Sequence, residues 1–435
     1  MKYARVPRPE APPGALSAGI DWASADHAVC IVDAAGAVVS RFTVAHTAEG
    51  LKTLVSRLAR AGSAEVAIER GDGPVVDALL AAGVTVVVIT PRQIKNLRSR
   101  YGSAGNKDDR FDAYVLADVL RTDRARLRPL IPDTPATVTL RQACRARKDL
   151  VRHRVAVGNQ LRAHLLCAFP AAAGLFCKLH SAISLAFLAR FDCQDRADWL
   201  SQKRLGAWLK AAGYSGRTDP AGLYQRLTSA PRGATGDAGA ASAQVTRALA
   251  AVLASLNTQI KALDAQIAAQ LASHADGHIF TSLPRSGTIR AARLLTEIGD
   301  CRARFPDPQA LICLAGAAPS TRQSGKHKAV TFRWAVSKQL RDAVCDFADG
   351  SRHTSPWAAR IYNAAIARGK DHPHAVRILA RAWLYVIWEC WHHGAAYDPA
   401  RHRGLQRLLT AQATGADQAA SPGTTLISGQ IKPGA

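Results

Sequence analysis

Six consecutive β-branched residues, Val84-Thr85-Val86-Val87-Val88-Ile89, lie between Gly83 and Pro91. A short run with no polar alternation marks a strand buried on both faces, and such a strand needs helices above and below its sheet. The chain before it supplies the neighbours. Leu16–Trp22, His27–Asp33 and Ala37–Val44 read as three strands, with Gly36 in the second turn. Thr47 is placed to cap a helix in which Leu51, Leu54, Val55 and Leu58 keep helical spacing. Glu65–Glu69 reads as a strand, Gly73–Ala82 as a short helix, and Pro91 opens another helical piece.

With a further helix from about Asp109, the order is β-β-β-α-β-α-β-α. It predicts a ribonuclease-H-like layer: a mixed sheet, hairpin first, with flanking helices. Four acids fall in telling places on it. Asp21 lies on the first strand and Glu69 ends the fourth. The stretch Lys107-Asp108-Asp109-Arg110-Phe111-Asp112-Ala113 follows Gly102 and Gly105 and precedes the periodic Val115, Leu116, Val119 and Leu120. Asp109 and Asp112, three apart on the first helical turn, project from one face. Taken singly, Asp108 or Asp109 is a helix cap, Asp112 complements the positive helix end, Asp21 is a turn acid and Glu69 a solvated strand end. Taken together they are four carboxylates that repel unless a cation lies among them. Mg²⁺ or Mn²⁺ prefers such oxygens, and two metals about 4 Å apart suit in-line attack at phosphate.

A formal net charge of +24 over 435 residues points to a polyanionic partner, nucleic acid before an acidic membrane. Hydrophobic residues make up 48%, enough for several packed cores. Met1–Arg5 leads into prolines without an apolar segment, so no signal peptide is expected. No stretch reads as a membrane span; Leu165–Cys177, the most apolar, is interrupted by Pro170 and Gly174. Nine cysteines without a C-x-x-C pair suit reduced thiols in the cytoplasm.

The expected divisions are a loose arm over 1–16, the α/β domain over 17–130, a helical coiled-coil region over 131–275 with an insertion at 169–240, a mainly helical C-terminal domain over 276–395, and a disordered tail over 396–435. The helix over 132–168 carries Arg141, Arg145, Lys148 and Arg152 among others, a stripe expected to track phosphates. In Gln244–Leu271, Leu249, Leu253, Leu256, Ile260, Leu263 and Ile267 alternate spacings of four and three, a seam for the 132–168 helix or for another subunit. The loop Thr321-Arg322-Gln323-Ser324-Gly325-Lys326-His327-Lys328 sets a serine among cations that could hold a phosphodiester. An ordinary basic turn, or Ser320 as a helix cap, accounts for the same residues.

Gly19-Ile20-Asp21, Ile68-Glu69, Pro91-Arg92-Gln93 and Lys107-x-Asp109-Arg110-x-Asp112-Ala113 resemble the N-terminal DEDD domain of the insertion-sequence one-ten (one-sixteen, nine-oh-two) transposases, which include the Piv-type invertases. Glu297-Ile298-Gly299-Asp300, Arg304-Phe305, Leu314-Ala315-Gly316, Ala318-Pro319-Ser320 and Gln323-Ser324-Gly325-Lys326 follow in that family's order. The family's P-G-I-G turn reads Pro284-Arg285-Ser286-Gly287 here, and the glycine before its L-R pair is replaced in Ser337-Lys338-Gln339-Leu340-Arg341. The resemblance implies a RuvC-like domain binding Mg²⁺ through Asp21, Glu69, Asp109 and Asp112. It implies Ser324 as nucleophile of a covalent phosphoserine link, with active sites shared between the subunits of a homodimer or tetramer. It also implies a bridge RNA pairing with donor and target DNA. Arg322, Lys326 and Lys328 are then expected nucleic-acid contacts, and the setting is the bacterial cytoplasm and nucleoid. A metal-dependent nuclease or junction resolvase using only the acids and water, or a non-catalytic nucleic-acid-binding protein, are the competing readings.

Overall fold

The computed structural model describes residues 14–101, 108–325 and 327–413, Lys328 by its backbone alone, and divides between Pro132 and Asp133 into two units. In the first unit, β1 (Ser17–Trp22), β2 (Asp26–Val32), β3 (Val38–Ala45), β4 (Glu65–Ile68) and β5 (Thr85–Val88) form one sheet in the order β3-β2-β1-β4-β5. β1, β2 and β3 are antiparallel neighbours; β4 and β5 run parallel to β1. Four helices complete the unit: α1 (Ala48–Ala61), α2 (Pro74–Ala81), α3 (Pro91–Arg98) and α4 (Asp109–Asp123). The sheet and the element order are those the apolar patterning predicts.

Local chemistry starts and stops these helices. The Thr47 hydroxyl accepts from the Gly50 N–H at 3.1 Å, and Gly62 ends α1 with φ +71°. Pro91 occupies the first turn of α3, and Gln93 Oε1 accepts from the Thr90 N–H at 3.0 Å, so part of the Pro91-Arg92-Gln93 motif is a helix start. Successive strand residues then feed opposite faces of the sheet. Ala18, Ile20, Val66 and Ile68 pack with Leu54 and Leu58 of α1 and with Val75 and Leu79 of α2. Ala67 and Val87 pack with Leu116 of α4, and Cys30 with Ala113 and Ala117. Where α4 crosses β1 the backbones nearly touch: a Cβ on Gly19 would lie 2.1 Å from the Ala113 carbonyl oxygen and 2.5 Å from the Ala117 nitrogen.

The second unit opens with α5 (Pro135–Ala168), capped by Thr134. Five short helices follow: α6 (Pro170–Ala173), α7 (Ala182–Arg190), α8 (Gln194–Asp198), α9 (Gln202–Ala211) and α10 (Pro220–Ser229). They enclose Phe169, Phe187 and Phe191 against Leu161 of α5 and Leu253 of the long α11 (Gly236–Ser273). Beyond it come α12 (Gly277–Thr281), α13 (Gly287–Ile298), α14 (Pro308–Leu314), the hairpin β6 (Ser320–Ser324) and β7 (His327–Thr331), α15 (Lys338–Ser351), α16 (Pro356–Ala367), α17 (His372–His392) and α18 (Arg403–Ala413). Leu140 of α5 and Ile267 of α11 share one core with Phe280, Phe347, Trp383 and Trp391, so the division expected at 275/276 runs through a single core.

Four expectations change. The α11 seam keeps Leu253, Ile260 and Ile267 buried and Leu249 and Leu263 half-buried against the cores, but its other fully buried positions are Thr246, Ala250 and Leu271. Between these, Asn257 and Asp264 reach Arg154 and Arg147 of α5, so polar pairs join the apolar seam inside an αα-hairpin. Residues 321–324 and 327–328 lie in the strands of a hairpin, with Ser324 and His327 as its last pair, where a loop is expected. The expected tail is folded through Ala413: Leu405 and Leu408 of α18 are buried, and an added Cβ at Gly404 would meet Trp357 Nε1 at 2.7 Å. Finally, α11 is, by length and composition, apolar enough to cross a membrane, although it lies along α5 here.

Gly19→Ala should destabilise the first unit by roughly 3 kcal/mol, because backbone atoms cannot yield as a side chain would. Denaturant unfolding of the full chain measures this; an unchanged first transition would show that α4 is free to slide off β1.

Candidate functional site

Ile20 of β1 pairs with Ile68 of β4, so Asp21 and Glu69 come next in register on adjacent parallel strands. Gly19 and Asp21 share a face, as do Ala67 and Glu69, and that face is the one α4 covers. Asp21 is buried and Glu69 half-buried. On α4, Asp108 is the cap, accepting from the Arg110 N–H at 3.1 Å. Asp109 is exposed, while Asp112, just before the Ala113 contact, is 1% exposed.

A carboxylate that deeply buried needs a counter-charge. It has one in Arg98, at the end of α3, whose Nε donates to Oδ1 at 2.6 Å and whose Nη2 donates to Oδ2. Among the described residues no three His, Cys, Asp or Glu gather as a metal-holding group, and in this structure a guanidinium takes both Asp112 oxygens. Arg98 is the partner of Asp112 that sequence reading missed, and nothing in its spacing or neighbours signals the pairing. A second tie holds the same helices. The Tyr101 hydroxyl donates to Asp118 at 2.6 Å; burial first, and then this bond, keep the phenol protonated well above its ordinary range. Lys107 lies outside the described residues.

Ser324 is exposed at the end of β6, followed by Gly325 with φ +56°, a left-handed turn position that favours glycine. Opposite residues on a hairpin share a face, so Ser324 and His327 stand together, with Arg322 next along the same side. Lys326 lies outside the described residues, and Lys328 contributes its place in β7.

Of the cations expected to form a phosphate stripe on α5, several have partners within the second unit. Arg141 pairs with Asp133 and donates to the Thr296 carbonyl at 2.6 Å. Arg145 grips Glu297 with two bonds of 2.9 and 2.8 Å, and Lys148 meets Asp342 at 2.7 Å. These cations hold the second unit together. Arg152, its side chain 71% exposed, lies beside Asp149, and Arg145 also keeps an exposed side chain, 46% open to solvent. The Glu297-Ile298-Gly299-Asp300 motif is scaffold for the same reason: Gly299, φ +87°, packs where a Cβ would lie 2.2 Å from Asp133, and its carbonyl accepts from Trp391 Nε1 at 2.8 Å.

A family model described as "Transposase" matches residues 18–170, and one described as "Transposase IS116/IS110/IS902 family" matches residues 277–363. The chain is 32% identical over 419 residues to the "Mini-circle putative transposase for IS117" of Streptomyces coelicolor, covering 91% of this chain and 98% of that protein. It is 29% identical over 393 residues to an uncharacterized 42 kDa protein of insertion element IS900 from Mycobacterium paratuberculosis, covering 88% and 97%. The insertion element IS110 uncharacterized 43.6 kDa protein of Streptomyces coelicolor is 28% identical over 346 residues, covering 75% and 80%.

Within the second matched segment sits one strained residue. Arg285, in the turn before α13, has φ +57°, the left-handed region, and no other described non-glycine residue does. Its side chain is exposed. Arg285→Gly should raise stability by about 1 kcal/mol by relieving the Cβ clash. A rise in the thermal midpoint is the expected reading, and a fall would mean that the arginine side chain more than offsets its backbone cost.

Proposed function

Because the chain belongs to the IS116/IS110/IS902 transposase family, and so acts on DNA, we propose that it cuts and rejoins the strands of an insertion sequence with Ser324 as nucleophile and Asp21, Glu69, Asp109 and Asp112 as a cation-binding set. The observation that carries this reading is that one chain holds both matched segments, the acids within 18–170 and Ser324 within 277–363. The mixed sheet, with its hairpin and flanking helices, supports an RNase H-like, RuvC-like assignment for the first unit.

The chemistry follows from the residues. An Oγ–P bond forms at Ser324 as a bridging P–O bond of the DNA breaks, and the released strand end takes up a proton. One ester replaces another, so the bond energy is kept for rejoining. A serine hydroxyl needs activation and a pre-placed phosphate. Arg322, on the same hairpin face, is suited to hold that phosphate, as are Lys326 and Lys328 close by in sequence. Four carboxylates without nitrogen or sulfur donors fit a hard divalent cation, Mg²⁺ or Mn²⁺, and Asp112 already demands a positive partner. Such a cation, when bound, neutralises charge building on the phosphate. A bridge RNA choosing donor and target DNA, and a homodimer or tetramer in the bacterial cytoplasm, complete the reading. The net charge of +24 suits several nucleic-acid strands at once.

Two measurements test it. Ser324→Ala should abolish covalent protein–DNA adducts on a suicide substrate while DNA binding persists; cleavage that continues without adducts would move the reaction to water as nucleophile. Arg98→Ala strands the buried Asp112 carboxylate and should cost roughly 3 kcal/mol of stability in chelator. Millimolar Mg²⁺ should restore more stability to that variant than to the parent chain. Equal effects of Mg²⁺ on both would remove Asp112 from the cation-binding set.

A further inference from the structure

Beside the Ser324 hairpin, the segment that leads from β7 to α15 holds two aromatic rings in unusual settings. Trp334 is 76% exposed, the largest exposure of any large hydrophobic residue among those described. Exposing an indole to this degree forfeits burial worth a few kcal/mol unless something covers it. The ring is nonetheless held in place: it stands edge-on to Phe332, centroids 4.9 Å apart. Phe332 is itself fixed by two guanidinium groups, Arg341 at 4.9 Å and Arg377 at 5.0 Å from its ring centre. Trp334 is thus a mounted flat surface, facing solvent, on a basic support.

Phe332 also forms part of the wall of a cleft of about 430 Å³. Arg333, His374, Arg377 and Arg381 line it, and no carboxylate does. His374, Arg377 and Arg381 recur at spacings of three and four along α17, so one helix face presents them together. Among the described residues no carboxylate lies within ion-pair distance of Arg377 or Arg381. Nearby, Nη1 of Arg341 is buried and without a hydrogen-bond partner. On α5, Arg141, Arg145, Arg147 and Lys148 each have a carboxylate partner; here Arg377 and Arg381 have none among the described residues. A cleft with unmatched guanidinium groups beside an open indole fits one kind of ligand: a flat ring joined to a phosphate.

We propose that Trp334 stacks an unpaired nucleobase and that Arg377 and Arg381 hold the phosphate of the same strand, making this face, at the base of the hairpin that carries Ser324 at its tip, the seat of an unpaired nucleotide. The proposal rests on the nucleic-acid reading above and deepens it. A fully paired duplex hides its base faces, so Trp334 would respond to unpaired nucleotides and not to duplex. Stacking on an aromatic ring tolerates any base, which suits a protein that leaves sequence choice to base pairing.

The test is fluorescence anisotropy with the full-length chain and three labelled probes: a fully paired DNA duplex, the same duplex with a short single-stranded DNA flap, and the same duplex with a single-stranded RNA flap. Trp334→Ala should weaken binding of one or both flapped probes about tenfold and leave the paired duplex unchanged, while Trp334→Phe keeps most of the affinity. The flap that responds identifies the strand as DNA or RNA. A 2-aminopurine in that flap should be quenched by the parent chain and not by Trp334→Ala. An equal loss on all three probes, or no loss on any, overturns the proposal while the parent chain's DNA binding keeps the transposase reading intact. A change of oligomeric state in Trp334→Ala with flap binding unaltered overturns it as well, in favour of a protein contact. A parent chain that binds none of the probes overturns both readings together. Trp334 is too exposed for its loss to threaten folding, and matching thermal midpoints confirm that point.

Discussion

α4 lies against β1 with no side chain between the two backbones. Only glycine at position 19 permits this, since the Ala113 carbonyl oxygen would stand 2.1 Å from any Cβ. The contact fixes where everything else in the first unit falls. Asp21 is two residues beyond Gly19 on the same face, and Asp112 is the residue before Ala113. Gly19-Ile20-Asp21 and Asp112-Ala113 are therefore two halves of one packing arrangement, the glycine giving the approach and the acids riding on either side of it. Asp112 arrives buried because α4 is so close, and the buried charge in turn requires Arg98.

What could be read beforehand, and what could not, divides along the range of the interactions. The strands of the first sheet were legible because each is a local apolar run, and the strongest, Val84–Ile89, carries its own evidence of two-sided burial. Helix starts at Thr47 and Pro91 were legible because a cap is a matter of three or four residues. The β6–β7 hairpin was not: exposed on both faces over Thr321–Ser324, it lacks the alternation that marks a half-buried strand. The α11 seam was legible in part. Leu253, Ile260 and Ile267 are buried and Leu249 and Leu263 half-buried as the spacing predicts, but the pairing of Asp264 and Asn257 with α5 depends on residues more than a hundred positions away.

The charge stripe shows the same limit most clearly. A count of arginines along α5 reports an excess of positive charge but not its destination. Glu297 lies 152 residues from Arg145, and no local pattern could announce that the two would form a bidentate pair. The individual acids of the candidate site were named from their places on strands and helix. Their mutual geometry was not legible, since it depends on Arg98, a cation that ordinary spacing rules give no reason to single out.

Internal pairing also redistributes what remains of the +24 charge. Each guanidinium held by a carboxylate of its own unit is lost as a phosphate contact, because moving it would strand a half-buried acid. The cations left to a polyanion are those whose neighbours are neutral, and on the second unit they include Arg322 on the hairpin and Arg377 and Arg381 along α17. Both lie on parts of the chain that carry little of the core: an exposed two-stranded ribbon and the outer face of a helix whose inner face holds Trp383 and Trp391. Charge matching thus sorts the cations: paired arginines build the unit, and unpaired ones are left open to a polyanion.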